Sequence, residues 1–229
     1  QSRLRLFEIG MRFIPQENDI KQENVISGLS FGARYPEQWG LPSKPCDFAD
    51  MKADVEALLT ASGHLDQADY LPAEHPALHP GQSAQIQLAG RPIGWLGAIH
   101  PAVAKRLDLP SSIYLFEVEI EPLLTAKIPQ FTPISRYPAL RRDIAVVVPE
   151  SLPAEVVMQA ARGAAPELVQ QAIMFDIYRG PGIDSGRKSV ALGLILQDSS
   201  RTLTDEAADA VMAQITERLQ RELGATIRD

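Results

Sequence analysis

The sequence predicts an α+β protein of two domains, which we place at residues 1–128 and 129–229. Its 229 residues are enough for two domains of roughly 100 residues each. Most apolar residues alternate or run in the short blocks typical of strands, and a few segments show the spacing of helices. Prolines between residues 122 and 133 favour extended chain, so we expect the domain boundary in that stretch.

The composition excludes several classes of protein. Apolar residues make up 45% and charged residues 22%, which argues against a disordered, fibrous or coiled-coil chain. No apolar run approaches the ~18 residues of a membrane helix, and the net charge of −7 argues against coating nucleic acid by bulk charge. The single cysteine, Cys46, excludes an internal disulfide framework and favours a reducing cytoplasm. Without an initiator Met or an apolar signal segment, the chain is expected to be part of a longer polypeptide.

The first domain is predicted to be mainly strands with one clear helix. The expected strands cover residues 4–14, 25–31, 84–88, 93–99 and 114–120. The helix begins after Asp47, a favourable N-cap, and ends before Gly63. Its apolar face consists of Phe48, Met51, Val55, Leu58 and Leu59. A second, short helix is expected after His100, because Pro101 suits a first helical position.

The second domain shows a complete alternation of strands and helices. Strands are expected at residues 143–148, 169–178, 189–197 and 225–228. One helix begins near Ser151 and another runs from Thr204 to Gly224, with acidic residues in its first turn. The resulting order is β-α-β-β-α-β, the ferredoxin-like split βαβ arrangement.

Two motifs with a chemical interpretation are better explained by structure. His75 and His79 have the spacing of a helical metal pair, but the flanking prolines prevent a helix and favour a loop. Glu117, Glu119 and Glu121 lie on one side of a strand, which favours a solvated face over an acid/base pair.

Signals for nucleotide hydrolysis and nucleophilic catalysis are also missing. Residues 182–189 are glycine-rich, but they lack the spacing of a phosphate-binding loop and join two strands. The sequence contains no G-x-S-x-G motif, and Cys46 has no neighbouring histidine. We therefore predict no catalytic residue in this chain.

Residues 175–180 are harder to assign. The period of two places Asp176 and Tyr178 on an exposed face, and Phe175 and Ile177 on the core face. A carboxylate and an aromatic ring beside basic residues suit the binding of unpaired bases. An ordinary exposed tyrosine with a surface salt bridge explains the same spacing equally well. These residues alone leave both interpretations open.

Several segments of the second domain resemble the β subunits of bacterial phenylalanyl-tRNA synthetases. Residues 135–148, SRYPALRRDIAVVV, resemble the opening of the ferredoxin-fold anticodon-binding domain that ends those subunits. Its later motifs are matched in order by FDIYRG at 175–180, KS at 188–189 and RTLTDE at 201–206. In the first domain, the matching segments are 6–10, 47–48, 75–84, 94–97 and 100–101.

The resemblance implies a subunit of phenylalanine–tRNA ligase, an α2β2 assembly that joins phenylalanine to tRNA(Phe) with ATP and Mg²⁺. Its active site belongs to the α subunit, so the chain itself is expected to hold neither cofactor nor any metal. The implied partners are tRNA(Phe) and the α subunit, in the cytoplasm. The positions that match Asp176, Tyr178 and Ser189 are expected to face the first anticodon base. By charge, we expect Arg179, Arg187 and Lys188 to help bind phosphates.

The first domain is then expected to be a class II synthetase-like antiparallel sheet domain that has lost catalysis. Catalytic members hold ATP with an Arg-x-Glu pair and a later arginine. Here Leu6 stands two positions before Glu8, and no arginine follows residues 94–100 directly. A scaffold kept for subunit packing would show this pattern.

Two other functions remain as alternatives. A ligand-sensing regulatory protein would bind an amino acid at a domain interface, with a glycine-rich loop joining a strand to a helix; here that loop joins two strands. An autonomous ATP-dependent ligase would need the arginines that are absent.

Overall fold

The computed structural model describes residues 2–110, 112–125, 131 and 134–228. The chain divides into two compact units, Gln1–Gln130 and Phe131–Asp229. Of the segment 128–133, which we predicted to be extended, only Phe131 lies within the described residues.

The first unit is built on a six-stranded antiparallel sheet. Its strands are β1 (Arg3–Pro15), β2 (Ile20–Gly32), β3 (Ala68–Pro72), β4 (Leu78–Leu88), β5 (Arg91–Ile99) and β6 (Ile113–Glu119). They lie in the order β1-β2-β6-β5-β4-β3. The helices are α1 (Phe48–Ala61), α2 (Pro101–Arg106) and α3 (Glu121–Leu124), with a 3-10 turn at Leu65–Gln67. The predicted α+β character and antiparallel sheet are confirmed.

Helix α1 forms where its cap and its apolar face predict it. The Asp47 side chain accepts from the backbone N–H of Asp50, whose carboxylate accepts from the Asp47 N–H, so both donors are satisfied. Met51, Val55 and Leu59 are buried against the sheet. Their partners there include Ile86, Leu96 and Phe116. This packing forms the core of the first unit.

Three features of this unit differ from the sequence prediction. Strand β3 was not predicted, because its five residues carry little alternation and pair only with β4 at the sheet edge. Helix α3 was not predicted either, because Pro122 was interpreted as favouring extended chain, whereas it occupies the first turn. His79 lies in β4 and not in a loop, whereas His75 packs beside the Trp95 ring at 5.1 Å. Within the described ranges, no group of His, Cys, Asp and Glu could hold a metal ion.

Strand β1 leaves an apolar stripe exposed at the sheet edge. Phe7, Ile9, Met11 and Phe13 alternate along it and are 49–76% exposed. Phe7 pairs with Gly28 on β2, and Gly28 pairs with the core residue Phe116 on β6. Because paired residues share a face of the sheet, the stripe lies on the same face as α1. Helix α1 packs mainly against β5 and β6, and it reaches β1 through the ion pair between Asp54 and Arg5.

The second unit has the predicted βαββαβ order. Its elements are β7 (Leu140–Pro149), α4 (Ala154–Ala164), β8 (Val169–Tyr178), β9 (Arg187–Leu196), α5 (Asp205–Leu223) and β10 (Thr226–Ile227). The antiparallel sheet has the order β10-β7-β9-β8. Thr204 caps α5 through its side chain, and Gly224 ends it in the left-handed conformation at φ +59°. None of the helices described here combines the length and apolar character needed to cross a membrane.

The two helices of this unit cover one face of its sheet. Val190, Leu192, Leu194 and Leu196 alternate along the central strand β9 and are fully buried beneath α4 and α5. Val146 and Val148 of β7 extend this core. The opposite face of the sheet, which we call the open face, carries no helix of this unit.

An ion-pair cluster crosses three strands of the first unit on the face opposite α1. The Arg12 guanidinium on β1 pairs with Glu23 on β2 and with Glu117 and Glu119 on β6. Lys21 is a second partner of Glu23. These pairings explain both glutamates of β6, Glu117 and Glu119, as structural partners of arginine. Glu121, which we predicted on the same strand, instead begins α3, because the strand ends at Glu119. A hydrogen bond from Lys21, and a further one from Arg12, lower the pKa of the Glu23 carboxyl below its usual range.

Replacing Arg12 should destabilise the first unit more than an ordinary surface mutation does. Arg12→Met would leave three carboxylates without their shared cation, so we expect a loss of about 2 kcal/mol or more. Arg5→Met is the matched control, because Arg5 makes one half-exposed pair with Asp54, worth about 1 kcal/mol or less. Both tryptophans lie in this unit, so urea unfolding followed by their fluorescence measures it selectively. Equal losses in the two variants would contradict the shared role of Arg12.

The same cluster should make this unit sensitive to acid. Because the folded pKa of Glu23 lies below the unfolded one, its stabilisation is present above the unfolded pKa and is lost as the pH falls through the folded value. We therefore expect the free energy of unfolding to fall below about pH 4. The Glu23→Gln variant should show a smaller fall between pH 6 and pH 3, measured by the same fluorescence assay. Parallel pH curves for the two proteins would refute this assignment.

A candidate nucleic-acid interface on the open sheet face

The open face is formed by alternate residues of all four strands of the second unit. Its strand register places Val147, Ser189 and Tyr178 side by side across β7, β9 and β8. Farther along β9, Asp143 and Ile173 lie on either side of Gly193. Between Ser189 and Gly193, the β9 residue on this face is Ala191, so all three side chains of this stretch are small.

A β-bulge in β8 corrects the predicted position of Phe175. The register shifts between Met174 and Asp176, so Phe175 is the extra residue and has no partner on β9. We predicted Phe175 on the core face, but it is 53% exposed and its ring contacts Arg141 on the open face. Period-two counting failed because the bulge inserts one residue into the alternation. The prediction for Ile177 holds, since it pairs with the core residue Val190.

Tyr178 lies where the sequence placed it, at the end of β8 on the open face. Its hydroxyl donates to the carbonyl of Pro181 at 3.2 Å. The guanidinium of Arg228 lies 4.5 Å from the ring centroid, a cation–π distance. Ser189 lies directly opposite Tyr178 on β9 and is 3% exposed. Tyr178 ends the edge strand β8 and Arg228 follows the other edge strand, β10, so this contact joins residues from opposite edges of the sheet.

Asp176 is exposed and shares this face with Tyr178. Its partner on β9 is Ala191, whose methyl group leaves the surface beside the carboxylate open. Three of the six predicted residues, Asp176, Tyr178 and Ser189, therefore lie together on the open face. A carboxylate beside a ring presents two hydrogen-bond acceptors next to a stacking surface.

The three predicted basic residues are placed differently. Arg179 is exposed and forms a bidentate pair with Glu150, and its hydrogen bond lowers the pKa of the Glu150 carboxyl. Lys188 is 7% exposed and alternates away from Ser189 onto the core face, where its ammonium donates to the Glu150 carbonyl at 2.8 Å. Arg187 donates to the carbonyl of Val147 at 2.8 Å. Arg179 is thus the most accessible of the three, and the phosphate roles of Arg179, Arg187 and Lys188 all stay predictions.

Sequence reasoning missed two arginines of the open face. Arg141 lies across β9, where it donates to Asp143 at 2.8 Å, and its guanidinium is 5.5 Å from the Phe175 ring centroid. Gly193 makes this possible, since an added Cβ would lie 2.9 Å from that guanidinium. Arg228 follows β10, and its backbone N–H donates to the carbonyl of Ala145. Only the pairing of strands distant in sequence brings these arginines to the aromatic rings.

Comparisons with known proteins agree with this architecture. Residues 1–120 match the family model described as "Phenylalanyl tRNA synthetase beta chain CLM domain". Residues 135–228 match the one described as "Ferredoxin-fold anticodon binding domain". Together, the fold and these matches define the class: an aminoacyl-tRNA synthetase chain that carries an anticodon-binding domain.

The relatives specify the family. Phenylalanine–tRNA ligase β subunits are 46% identical over 230 residues in Nitrosococcus oceani, 42% over 229 in Methylococcus capsulatus and 44% over 232 in Yersinia pestis. Each match covers the whole of this chain and 29% of the relative. The chain belongs to the family of phenylalanyl-tRNA synthetase β chains.

The two residues that contact Glu150 should differ in their effect on stability. Lys188→Ala removes a buried side chain and its hydrogen bond, so the second unit should lose about 1–3 kcal/mol. The matched control Arg179→Ala breaks a solvent-exposed pair, which water and salt screen, so it should leave the stability of the unit nearly unchanged. Calorimetric unfolding of the chain should therefore show a clear fall in transition temperature for Lys188→Ala alone. Unchanged stability, together with weaker and less salt-dependent RNA binding, would instead support a phosphate contact by Lys188.

Proposed function

We propose that this chain is the C-terminal part of a phenylalanine–tRNA ligase β subunit and that its second unit binds the anticodon of tRNA(Phe). The observation that carries this proposal is the grouping of Asp176, Tyr178 and Ser189 on the open face of a matched anticodon-binding fold. Unpaired bases are bound by proteins through stacking on rings and hydrogen bonds to base edges. The first anticodon base would stack at Tyr178, with its edge toward Asp176.

The carboxylate of Asp176 suits guanine at the first anticodon position. Guanine presents two adjacent donors, its N1–H and its exocyclic amine, and an ionised carboxylate offers two acceptor oxygens to them. Arg179, which is the most accessible of the three basic residues, would contribute a phosphate contact from the adjacent loop.

The first unit is proposed to be a class II synthetase-like domain that supports assembly and does not catalyse. The supporting observation is its six-stranded antiparallel sheet, whose strand β1 carries Leu6 where an ATP-binding arginine would be needed. These residues do not fit ATP and Mg²⁺, and no metal-binding group is found within the described parts of the chain. Both cofactors would serve the holoenzyme at the α-subunit active site.

Strand β1 is the proposed contact with the α subunit. Its apolar stripe is exposed along a sheet edge, where both the side chains and the backbone hydrogen-bonding groups are available to a partner. An α2β2 assembly in the cytoplasm would bury this stripe. The regulatory alternative gains no support, because the glycine-rich segment forms the hairpin between β8 and β9.

Substitutions at Tyr178 and Asp176 test the anticodon site. Tyr178→Ala should weaken tRNA(Phe) binding by ~1–3 kcal/mol, the usual contribution of a base stacked on an aromatic ring, and Tyr178→Phe should lose less. Asp176→Asn should reduce discrimination between tRNA(Phe) and a variant altered at the first anticodon base, because an amide presents only one acceptor. The measurement is binding of both RNAs, with a non-cognate tRNA, across a salt series.

The control for Tyr178 is Tyr35→Ala, the same truncation at an exposed tyrosine of the first unit. It should leave the anticodon discrimination unchanged. Equal losses for both tRNAs in Asp176→Asn would show that this carboxylate does not read the base. If every variant bound tRNA(Phe) with the affinity of the parent, the anticodon site would not lie on strand β8.

A further inference from the structure

The open face carries two separate pairs of an aromatic ring and a guanidinium. Tyr178 pairs with Arg228 at 4.5 Å, and Phe175 pairs with Arg141 at 5.5 Å. Both rings come from β8, and both arginines come from the far side of β9, so each pair bridges the central strand. Of these four residues, the proposed function uses only Tyr178.

The second pair is built from features that core packing does not require. The β-bulge turns Phe175 out of the core alternation and leaves it 53% exposed, and bulges commonly re-aim side chains at functional sites. Asp143 holds Arg141 in place through a hydrogen bond, and Gly193 supplies the space beneath it. Ile173, which pairs with Gly193 on the open face, is 44% exposed and extends the apolar surface beside the Phe175 ring.

We propose that Phe175 and Arg141 form a second base-stacking position for the RNA segment that also contacts Tyr178; this inference rests on the proposed function. An unpaired base can stack on a phenylalanine ring or on a guanidinium plane, and neither surface selects a particular base. The second position therefore adds affinity, whereas Asp176 next to the first position supplies discrimination.

The separation of the two positions determines which bases they hold. Phe175 and Tyr178 are three residues apart on β8, but because of the bulge only two to three register steps of β9 separate them, or about 7–10 Å at 3.3 Å per residue. Bases that remain stacked on each other lie about 3.4 Å apart. Two bases that are stacked on each other cannot span this distance, so the bases at the two positions do not stack on each other. The open face would hold a splayed single strand.

The test uses the whole chain with an anticodon-arm hairpin of tRNA(Phe), and with hairpins in which each loop base in turn is removed. Phe175→Ala should weaken binding of the intact hairpin by about 5- to 150-fold. It should have almost no effect on the one hairpin that lacks the base stacked at Phe175. Tyr178→Ala should likewise weaken binding of the intact hairpin, and it should have almost no effect on a hairpin that lacks a different loop base.

Two control variants isolate the ring of Phe175. Phe175→Tyr keeps a stacking surface and should bind the intact hairpin within about threefold of the parent. Trp39→Ala removes a fully exposed aromatic ring of the first unit, outside the β1 stripe, and should not change hairpin affinity. Calorimetric unfolding of Phe175→Ala should match the parent, because the ring is exposed.

The outcomes separate this inference from the proposed function. If Tyr178→Ala couples to a loop base and Phe175→Ala couples to none, the second position is refuted while the anticodon site stands. Coupling of both residues to the same loop base would also refute it. If the parent chain binds no hairpin, both proposals fail together.

Discussion

The candidate site depends on the alternation of residue size along strand β9. On one face this central strand presents Val190, Leu192 and Leu194, which are fully buried under α4 and α5. In the middle of the strand, the other face presents Ser189, Ala191 and Gly193, and the larger residues of that face, Arg187 and Ile195, lie toward its two ends. Because the three residues in the middle are small, long side chains from the neighbouring strands can lie across β9 and meet one another. A bulky residue at any of the three positions would separate the arginines from the rings.

The two units therefore use sheet faces in contrasting ways. In the first unit, the face opposite α1 is neutralised internally, since Arg12 satisfies three carboxylates from two other strands. Such a surface has little charge left to offer a ligand, and its accessible apolar area lies instead along β1. In the second unit, the arginines of the open face lie over aromatic rings, where their planes stay available for stacking.

The basic residues predicted from the sequence carry the same charge but differ in their accessibility to a ligand. Arg179 and Lys188 both contact Glu150, one through its exposed carboxylate and the other through its backbone carbonyl. A formal positive charge near a binding loop therefore does not by itself identify a phosphate contact. The arginines that complete the open face, Arg141 and Arg228, lie 34 or more positions from the rings they contact and carry no local motif.

The sequence by itself determined the elements whose signals are local. The capping residues Asp47 and Thr204 located two helices, and the strand–helix order identified the βαββαβ unit, because caps and periodicity act over a few residues. Only the tertiary structure decided the face of Phe175, the burial of Lys188 and the partners of Arg141 and Arg228. Each of these depends on strand register, and register is fixed by pairing between segments distant in sequence and shifted by a single bulged residue.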